Sequence, residues 1–191
     1  FDIFGSRVFS GGALAAGGAM FGMSGLELLS TQKLQLVDAL SPLHAGLIIS
    51  AMALSAIPTS ILGGATLHRL GFLPLISGGF LLMATGMALL LATRGEALAL
   101  LVVALVLTGL GAGLAMSVSS TAIINAAPLH RTGMAAGVEA VSYEFGTLIS
   151  IALTGTLVPL LMARELPPHL AELGTCLLYT SPSPRDKRQS R

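Results

Sequence analysis

Five long stretches with few or no charged residues restrict the fold of this chain more than any other feature. Four of them carry no charge at all and cover residues 8–26, 45–67, 72–93 and 97–129. A helix that crosses the hydrocarbon core of a bilayer needs about 20 predominantly apolar residues. Of the 191 residues, 53% are hydrophobic and 10% are charged, whereas an average soluble domain is about 25% charged. We therefore predict an all-α, multi-pass integral membrane protein.

The connections between these stretches are short, so neighbouring helices are expected to be antiparallel. Ser41-Pro42 predicts a helix start, because proline is tolerated in the first turn of a helix. The segments HRLGF at 68–72 and RGE at 94–96 predict tight turns. The fourth span is expected to end where its sequence becomes polar, and residues 1–7 are interpreted as an amphipathic lead-in. The predicted transmembrane bundle is 8–165, with spans at about 8–31, 44–67, 72–93, 97–122 and 133–162.

The fifth stretch differs from the others because it contains Glu139 and Glu144. A charge near the middle of a transmembrane helix costs roughly 2.5–3.5 kcal/mol, and such residues mark functional sites by default. Glu139 and Tyr143 are four residues apart and share a helix face, whereas Glu144 lies roughly 140° around the helix from Glu139. The two acids are therefore expected to face adjoining parts of one polar cavity, or a cavity and a neighbouring helix. The structural alternative is that both are polar contacts between packed helices.

The estimated depths of the acidic residues suit a route for a proton or a cation. A rise of 1.5 Å per residue from Arg131 places Glu139 roughly 12 Å and Glu144 roughly 20 Å into a core about 30 Å thick. Glu27, counted from Arg7, lies roughly 30 Å along its helix, near the opposite face. Loss of water favours the protonated form of a carboxyl group, so its protonation can be switched by access to water. For Glu27, an interfacial charge at a helix end is an equally open interpretation.

Charge and motif content exclude several other functions. Residues 1–175 hold six Lys/Arg and eight Asp/Glu, a net charge of −2, so no basic patch for nucleic acid is expected. The single cysteine, Cys176, and the scattered histidines have no metal-ligand spacing, and no metal or cofactor is predicted. The spans contain no HExxH motif, paired aspartates or Ser/Lys nucleophile arrangement, so an enzyme is not expected. The basic residues at the predicted helix ends are divided evenly, with Arg7, Arg69 and Arg131 on one side and Lys33, Arg94 and Arg164 on the other, and give no orientation.

Three segments in this order carry a family resemblance: SPLHAG at 41–46, HRLG at 68–71 and TGMAAGVEAVSYEFG at 132–146. They resemble the drug:proton antiporters of the major facilitator superfamily that have fourteen transmembrane segments, including the quaternary-ammonium efflux pumps. The resemblance covers about residues 1–165 and corresponds to spans nine to thirteen, which belong to the C-terminal half of such a transporter.

The resemblance implies proton-coupled export of drugs, lipophilic cations among them, across the cell inner (plasma) membrane. The implied partners are the lipid bilayer, protons, a small lipophilic or cationic substrate and the missing N-terminal half of the same transporter. Exporters of a natural metabolite and non-transporting membrane scaffolds are the alternatives. The implied proton-coupling and substrate residues are Glu144, Glu139, Glu27 and Tyr143.

The HRLG segment resembles a reduced form of the inner-loop signature of the superfamily, with His68 in place of an acid. The resemblance makes Arg69 and Gly71 structural gate residues and places Arg7, Arg69 and Arg131 in the cytoplasm. Some members carry two adjacent acids in the fifth stretch. Ala140 occupies the second of these positions here, which argues against a strong preference for divalent cations.

The end of the chain has a different character. The segment CLLYTSPSPRD at 176–186 resembles the conceptual translation of a transposon adapter used in DNA sequencing libraries. Charge and Ser/Pro content rise abruptly there. Residues 166–175 are therefore interpreted as a loop and residues 176–191 as a non-native tail. We expect the chain to be a segment of a longer transporter that lacks its last span and its N-terminal half.

Overall fold

The computed structural model describes residues 7–92 and 98–165, and these residues form five long α-helices and no strand. Each helix is long and apolar enough to cross a membrane, which confirms the predicted five-helix, all-α fold. Residues 1–6 of the predicted lead-in at 1–7, the turn at 94–96 and the loop and tail at 166–191 lie outside the described residues, whereas Arg7 begins the first helix. The helices are α1 (Arg7–Gln32), α2 (Pro42–Leu70), α3 (Phe72–Ala92), α4 (Leu98–Ala126) and α5 (Thr132–Glu165).

The chain divides into two compact units, Phe1–Ala152 and Leu153–Arg191. The first contains α1 to α4 and most of α5. The described part of the second is the C-terminal section of α5, which includes Pro159. All the contacts and candidate site residues below belong to the first unit.

Helix α4 is the central element of the first unit and packs on α1, α2 and α3. Its glycines permit this packing because they let neighbouring backbones approach closely. A Cβ atom at Gly109 would collide with the carbonyl oxygen of Met52 on α2, and one at Gly113 would collide with the carbonyl oxygen of Ala56. Gly111 faces the other way, where a Cβ would collide with the carbonyl oxygen of Gly79 on α3. Gly109 and Gly113 therefore allow close packing of α4 on α2, and Gly111 allows close packing of α4 on α3.

Hydroxyl groups add hydrogen bonds between the helices. Ser117 of α4 donates to the carbonyl oxygen of Ser60 on α2 at 2.8 Å, and Ser55 of α2 reaches back to the carbonyl oxygen of Val106 at 3.1 Å. Ser150 of α5 donates to the carbonyl oxygen of Phe21 on α1 at 2.7 Å. Such bonds satisfy polar groups where no water is available.

The beginning of α2 is as predicted. Ser41 is its N-cap residue and Pro42 lies in the first turn. The Ser41 hydroxyl accepts a long bond from the backbone N–H of His44 at 3.4 Å and lies 2.7 Å from Nδ1 of the same histidine. The cap satisfies one of the backbone donors that the first turn leaves unpaired.

Several predicted helix ends differ from the structure. The turn expected over 68–72 is reduced to Gly71, because α2 continues to Leu70 and α3 begins at Phe72. Gly71 has φ of 82°, a conformation that glycine adopts without steric cost, and its N–H bonds to the carbonyl oxygen of Leu67 at 2.9 Å. One residue is thus enough to reverse the chain.

The first and fourth spans are longer than predicted. After α1, a π-helix continues from Lys33 to Val37, and fully buried Leu34 extends the apolar face beyond the expected end at 31. Helix α4 runs to Ala126 instead of 122, with Ile123 fully buried. Its polar section does not end the helix, because hydroxyls such as that of Thr121 bond to backbone carbonyls.

Candidate functional site

Glu139 and Tyr143 form a hydrogen-bonded pair on α5. The Tyr143 hydroxyl donates to Oε1 of Glu139 at 2.8 Å, and both side chains are partly buried. The tyrosine packs against a cluster that contains Ala16 of α1 and Ile123 of α4. The four-residue spacing therefore places this carboxyl group on the side of α5 that faces the neighbouring helices.

Glu144 lies on a different face of α5, and its side chain is exposed. The apolar residues around it are exposed as well, at 54% for Val141, 61% for Phe145 and 61% for Leu148. No residue in the described part of the chain gives its carboxyl group a hydrogen bond or an ion pair. The two acids of α5 are thus separated, as the helical spacing predicts, and only Glu139 is paired.

Glu27 is on α1 and is not brought together with the acids of α5. Its exposed side chain lines a groove of about 400 Å³ between the C-terminal part of α1 and the start of α2. Thr31, Gln35 and Ser50 add polar groups to the same groove, and Met52 is among its apolar residues. Glu27 therefore lines a groove that includes neither acid of α5.

Sequence reasoning did not find a larger groove of about 610 Å³ between α1 and α5. Phe21 and Phe145 line it, and its described lining contains no carboxylate. At its base the helices almost touch, because a Cβ atom at Gly146 would collide with the carbonyl oxygen of Gly17. The signal in the sequence was the small residues on both helices, which permit close contact but do not reveal which helices meet.

Comparison with known proteins decides the family. The sequence profile described as Major Facilitator Superfamily matches residues 7–164, which include all five helices almost completely. The chain belongs to the major facilitator superfamily. Together with five helices of membrane-spanning length and composition, this makes it a multi-pass membrane protein.

Several curated proteins are similar to the chain. It is 31% identical over 150 residues to the multidrug resistance protein Stp of Mycobacterium tuberculosis, covering 78% of this chain and 28% of Stp. It is 31% identical over 161 residues to the methyl viologen resistance protein SmvA of Salmonella typhimurium, covering 82% of this chain and 32% of SmvA. The multidrug efflux pump LfrA of Mycolicibacterium smegmatis is 29% identical over 150 residues, which cover 78% of this chain and 30% of LfrA.

The chain thus spans about a third of the length of the curated relatives it matches. No solved structure matches it significantly. The matched names agree with the resemblance that the α5 motif carries, since they describe multidrug resistance, methyl viologen resistance and multidrug efflux.

The gate candidates of this superfamily member lie at the junction of α2 and α3. Arg69 is exposed in the last turn of α2, where a cation interacts favourably with the negative end of the helix dipole. Gly71 makes the reversal described above. The structure thus gives Gly71 a local structural role at the end of α2, and the gate function of Arg69 stays a prediction.

Replacing Tyr143 with Phe tests the pair on α5. Tyr143→Phe keeps the ring and its packing but removes the donor to Glu139, so we expect a loss of stability of about 1 kcal/mol or less. Glu139→Gln is the matched control, because an amide oxygen still accepts the bond. Thermal unfolding in detergent measures both variants. Equal stability of Tyr143→Phe and the parent would show that the bond contributes nothing.

Proposed function

We propose that this chain is part of a proton-coupled exporter of drugs, and in particular of lipophilic cations, in the cell inner membrane. Support comes from membership of a transporter superfamily and from similarity to proteins named for multidrug and methyl viologen resistance. Methyl viologen is an organic dication, so resistance to it in SmvA agrees with a cationic substrate class. The rest of the transporter would supply the remaining wall of the substrate pathway.

One observation carries the proposal: Glu144 presents a carboxyl group in the middle of an exposed apolar surface. A lipophilic cation needs a negative charge together with apolar area, and Val141, Phe145 and Leu148 supply that area. The Phe145 ring can also present its face to a cation. Because an isolated charge is costly in a membrane, a carboxylate at this position is best explained by a ligand that neutralises it.

A proton and a cationic drug would then compete for the same carboxylate. Binding of the cation favours the ionised form of Glu144 and releases its proton, and binding of a proton expels the cation. By thermodynamic linkage each ligand weakens the binding of the other to the same extent. If the site opens alternately to the two sides of the membrane, this competition exchanges a drug for a proton.

The Glu139–Tyr143 pair would have a different role in this exporter. Its carboxyl group already accepts a hydrogen bond and lies partly buried beside α1 and α4. We assign it a part in shaping the substrate site, so that Glu139→Gln changes the range of drugs more than the coupling to protons. The apolar α1–α5 groove, with Phe21 and Phe145 in its walls, could hold the hydrophobic body of a substrate.

Drug-induced proton release tests the function directly. The full-length transporter that contains this segment is purified in weakly buffered detergent solution, and tetraphenylphosphonium is added while the pH is recorded. We expect protons to be released in proportion to the bound cation, because occupation of Glu144 requires its ionised form. An uncharged aromatic compound of similar size serves as the control and should release none. Saturable binding of the cation without any proton release would contradict the exchange mechanism.

A further inference from the structure

We infer that the groove around Glu27 is a second binding site for organic cations, separate from Glu144. This inference rests on the proposed function and extends it. The groove has a volume of about 400 Å³ between α1 and α2, which is within the range of roughly 300–1,000 Å³ found for small-molecule sites. It therefore has room for a ligand rather than for a single ion.

The charges around the groove favour a cation. Among the described residues that line it, Glu27 alone is charged. The cation nearest to Glu27 in the sequence is Lys33, in the π-helix after α1, and its ammonium group lies 3.0 Å from a carboxylate oxygen of Asp38, outside the groove lining. Lys33 is thus paired elsewhere, and the groove keeps one uncompensated negative charge.

The hydroxyl groups of the groove also favour a positively charged ligand, because they can act only as hydrogen-bond acceptors. Thr31 donates its proton to the carbonyl oxygen of Glu27 at 2.7 Å, and Ser50 donates to the carbonyl oxygen of Leu47 at 2.7 Å. With their protons occupied within their own helices, both hydroxyls can only accept a further hydrogen bond. The groove thus offers acceptors around Glu27 and no positively charged donor to an anion.

The apolar part of the groove selects an organic cation over a metal ion. Met23 and Met52 line it, and Met52 is only 2% exposed, so it forms a closed floor. Methionine side chains adapt to ligands of different shape and are common at promiscuous binding surfaces. A carboxylate at the rim with methionines below suits an ammonium, phosphonium or pyridinium group attached to an apolar body.

The position of the groove separates it from Glu144. Arg7 begins α1 and Arg69 is in the last turn of α2, so the groove lies near the opposite ends of both helices. From the helical rise, Glu27 is roughly 10 Å farther from the Arg7 side than Glu144 is from the Arg131 side. A cation in the groove would therefore occupy a side-specific site that is filled before or after the site at Glu144.

Thiol labelling in the full-length transporter tests occupation of the groove. We introduce Ser50→Cys, react it with a trimethylammonium thiosulfonate reagent and measure the rate with and without tetraphenylphosphonium. We expect the cation to protect this cysteine, and Glu27→Gln in the same background to weaken the protection about fivefold. The control is Ser77→Cys on α3, outside this groove, where the cation should give no protection. Absence of labelling or of protection at Ser50→Cys would overturn the inference.

Two further measurements distinguish a bound organic cation from a lipid head group. Vesicles of phosphatidylglycerol alone lack amine head groups, so protection that persists in them comes from the added cation and not from a lipid. Protection that needs phosphatidylethanolamine and ignores tetraphenylphosphonium would overturn the inference in favour of a lipid head group. If tetraphenylphosphonium does not protect the cysteine of Ser50→Cys but the transporter still exchanges drug for protons, the inference of a second site is wrong and the proposed function stands. Loss of proton release in the parent protein would instead refute the proposed function.

Discussion

Glu144→Gln in the full-length transporter should reduce efflux driven by a pH gradient at least about tenfold, toward the rate of empty vesicles. Glutamine keeps the size and polarity of the side chain but carries no charge and cannot exchange a proton. Because Glu144 is exposed and unpaired within the described part of the chain, its replacement breaks no hydrogen bond that supports the fold. We therefore expect normal expression and thermal stability together with a loss of coupling. The measurement is uptake of a fluorescent lipophilic cation into proteoliposomes with an imposed pH gradient.

Two companion variants sharpen this test. Glu144→Asp retains a titratable carboxyl group and should keep measurable coupling, whereas Glu139→Gln should keep coupling and change the relative rates for different drugs. If Glu144→Gln couples and transports like the parent, Glu144 has a structural role and the proton site must be elsewhere. If Glu139→Gln instead shows the loss of coupling, the roles of the two acids are exchanged, and the partly buried pair with Tyr143 becomes the proton site.

The fold could be predicted from the sequence because each helix corresponds to one apolar stretch that is long enough to cross a bilayer. Five such stretches gave five helices, and the Ser41-Pro42 signal gave the correct start of α2. Helix ends were harder, since they depend on contacts that a single stretch does not reveal. The extension of α4 depends on burial of Ile123 by other helices. The reduction of the α2–α3 turn depends on one glycine conformation.

For the candidate site, the sequence predicts the directions of the side chains relative to one another, but not which side of α5 contacts the other helices. Helical periodicity shows that Glu139 and Tyr143 share a face and that Glu144 is on another, and the structure has this arrangement. Periodicity does not show which face meets the other helices, because α5 is apolar almost all round and gives no contrast between sides. The groove beside Glu27 depends on the packing of α1 against α2, which are joined through a π-helix that no sequence pattern indicated.

Gly109→Ala should destabilise the transporter, although alanine is the better helix former. A Cβ atom at this position would collide with the carbonyl oxygen of Met52 and the hydroxyl of Ser55 on α2. The carbonyl oxygen is part of the helix backbone and cannot rotate away, so α2 and α4 must separate. We expect a cost of about 2–3 kcal/mol from overpacking, which exceeds the gain of about 1 kcal/mol in helix propensity.

Gly78→Ala is the matched control for this prediction, because a Cβ atom there meets nothing within 4 Å. It receives the same propensity gain without a collision, so its stability should equal or exceed that of the parent. Thermal unfolding of the purified full-length protein in detergent measures both variants, with a decrease in melting temperature of a few degrees expected for Gly109→Ala alone. A second position, Gly113→Ala, should behave like Gly109→Ala, since its Cβ would collide with the carbonyl oxygen of Ala56. If all three variants are as stable as the parent, α2 and α4 are not in backbone contact, and the central position of α4 is wrong.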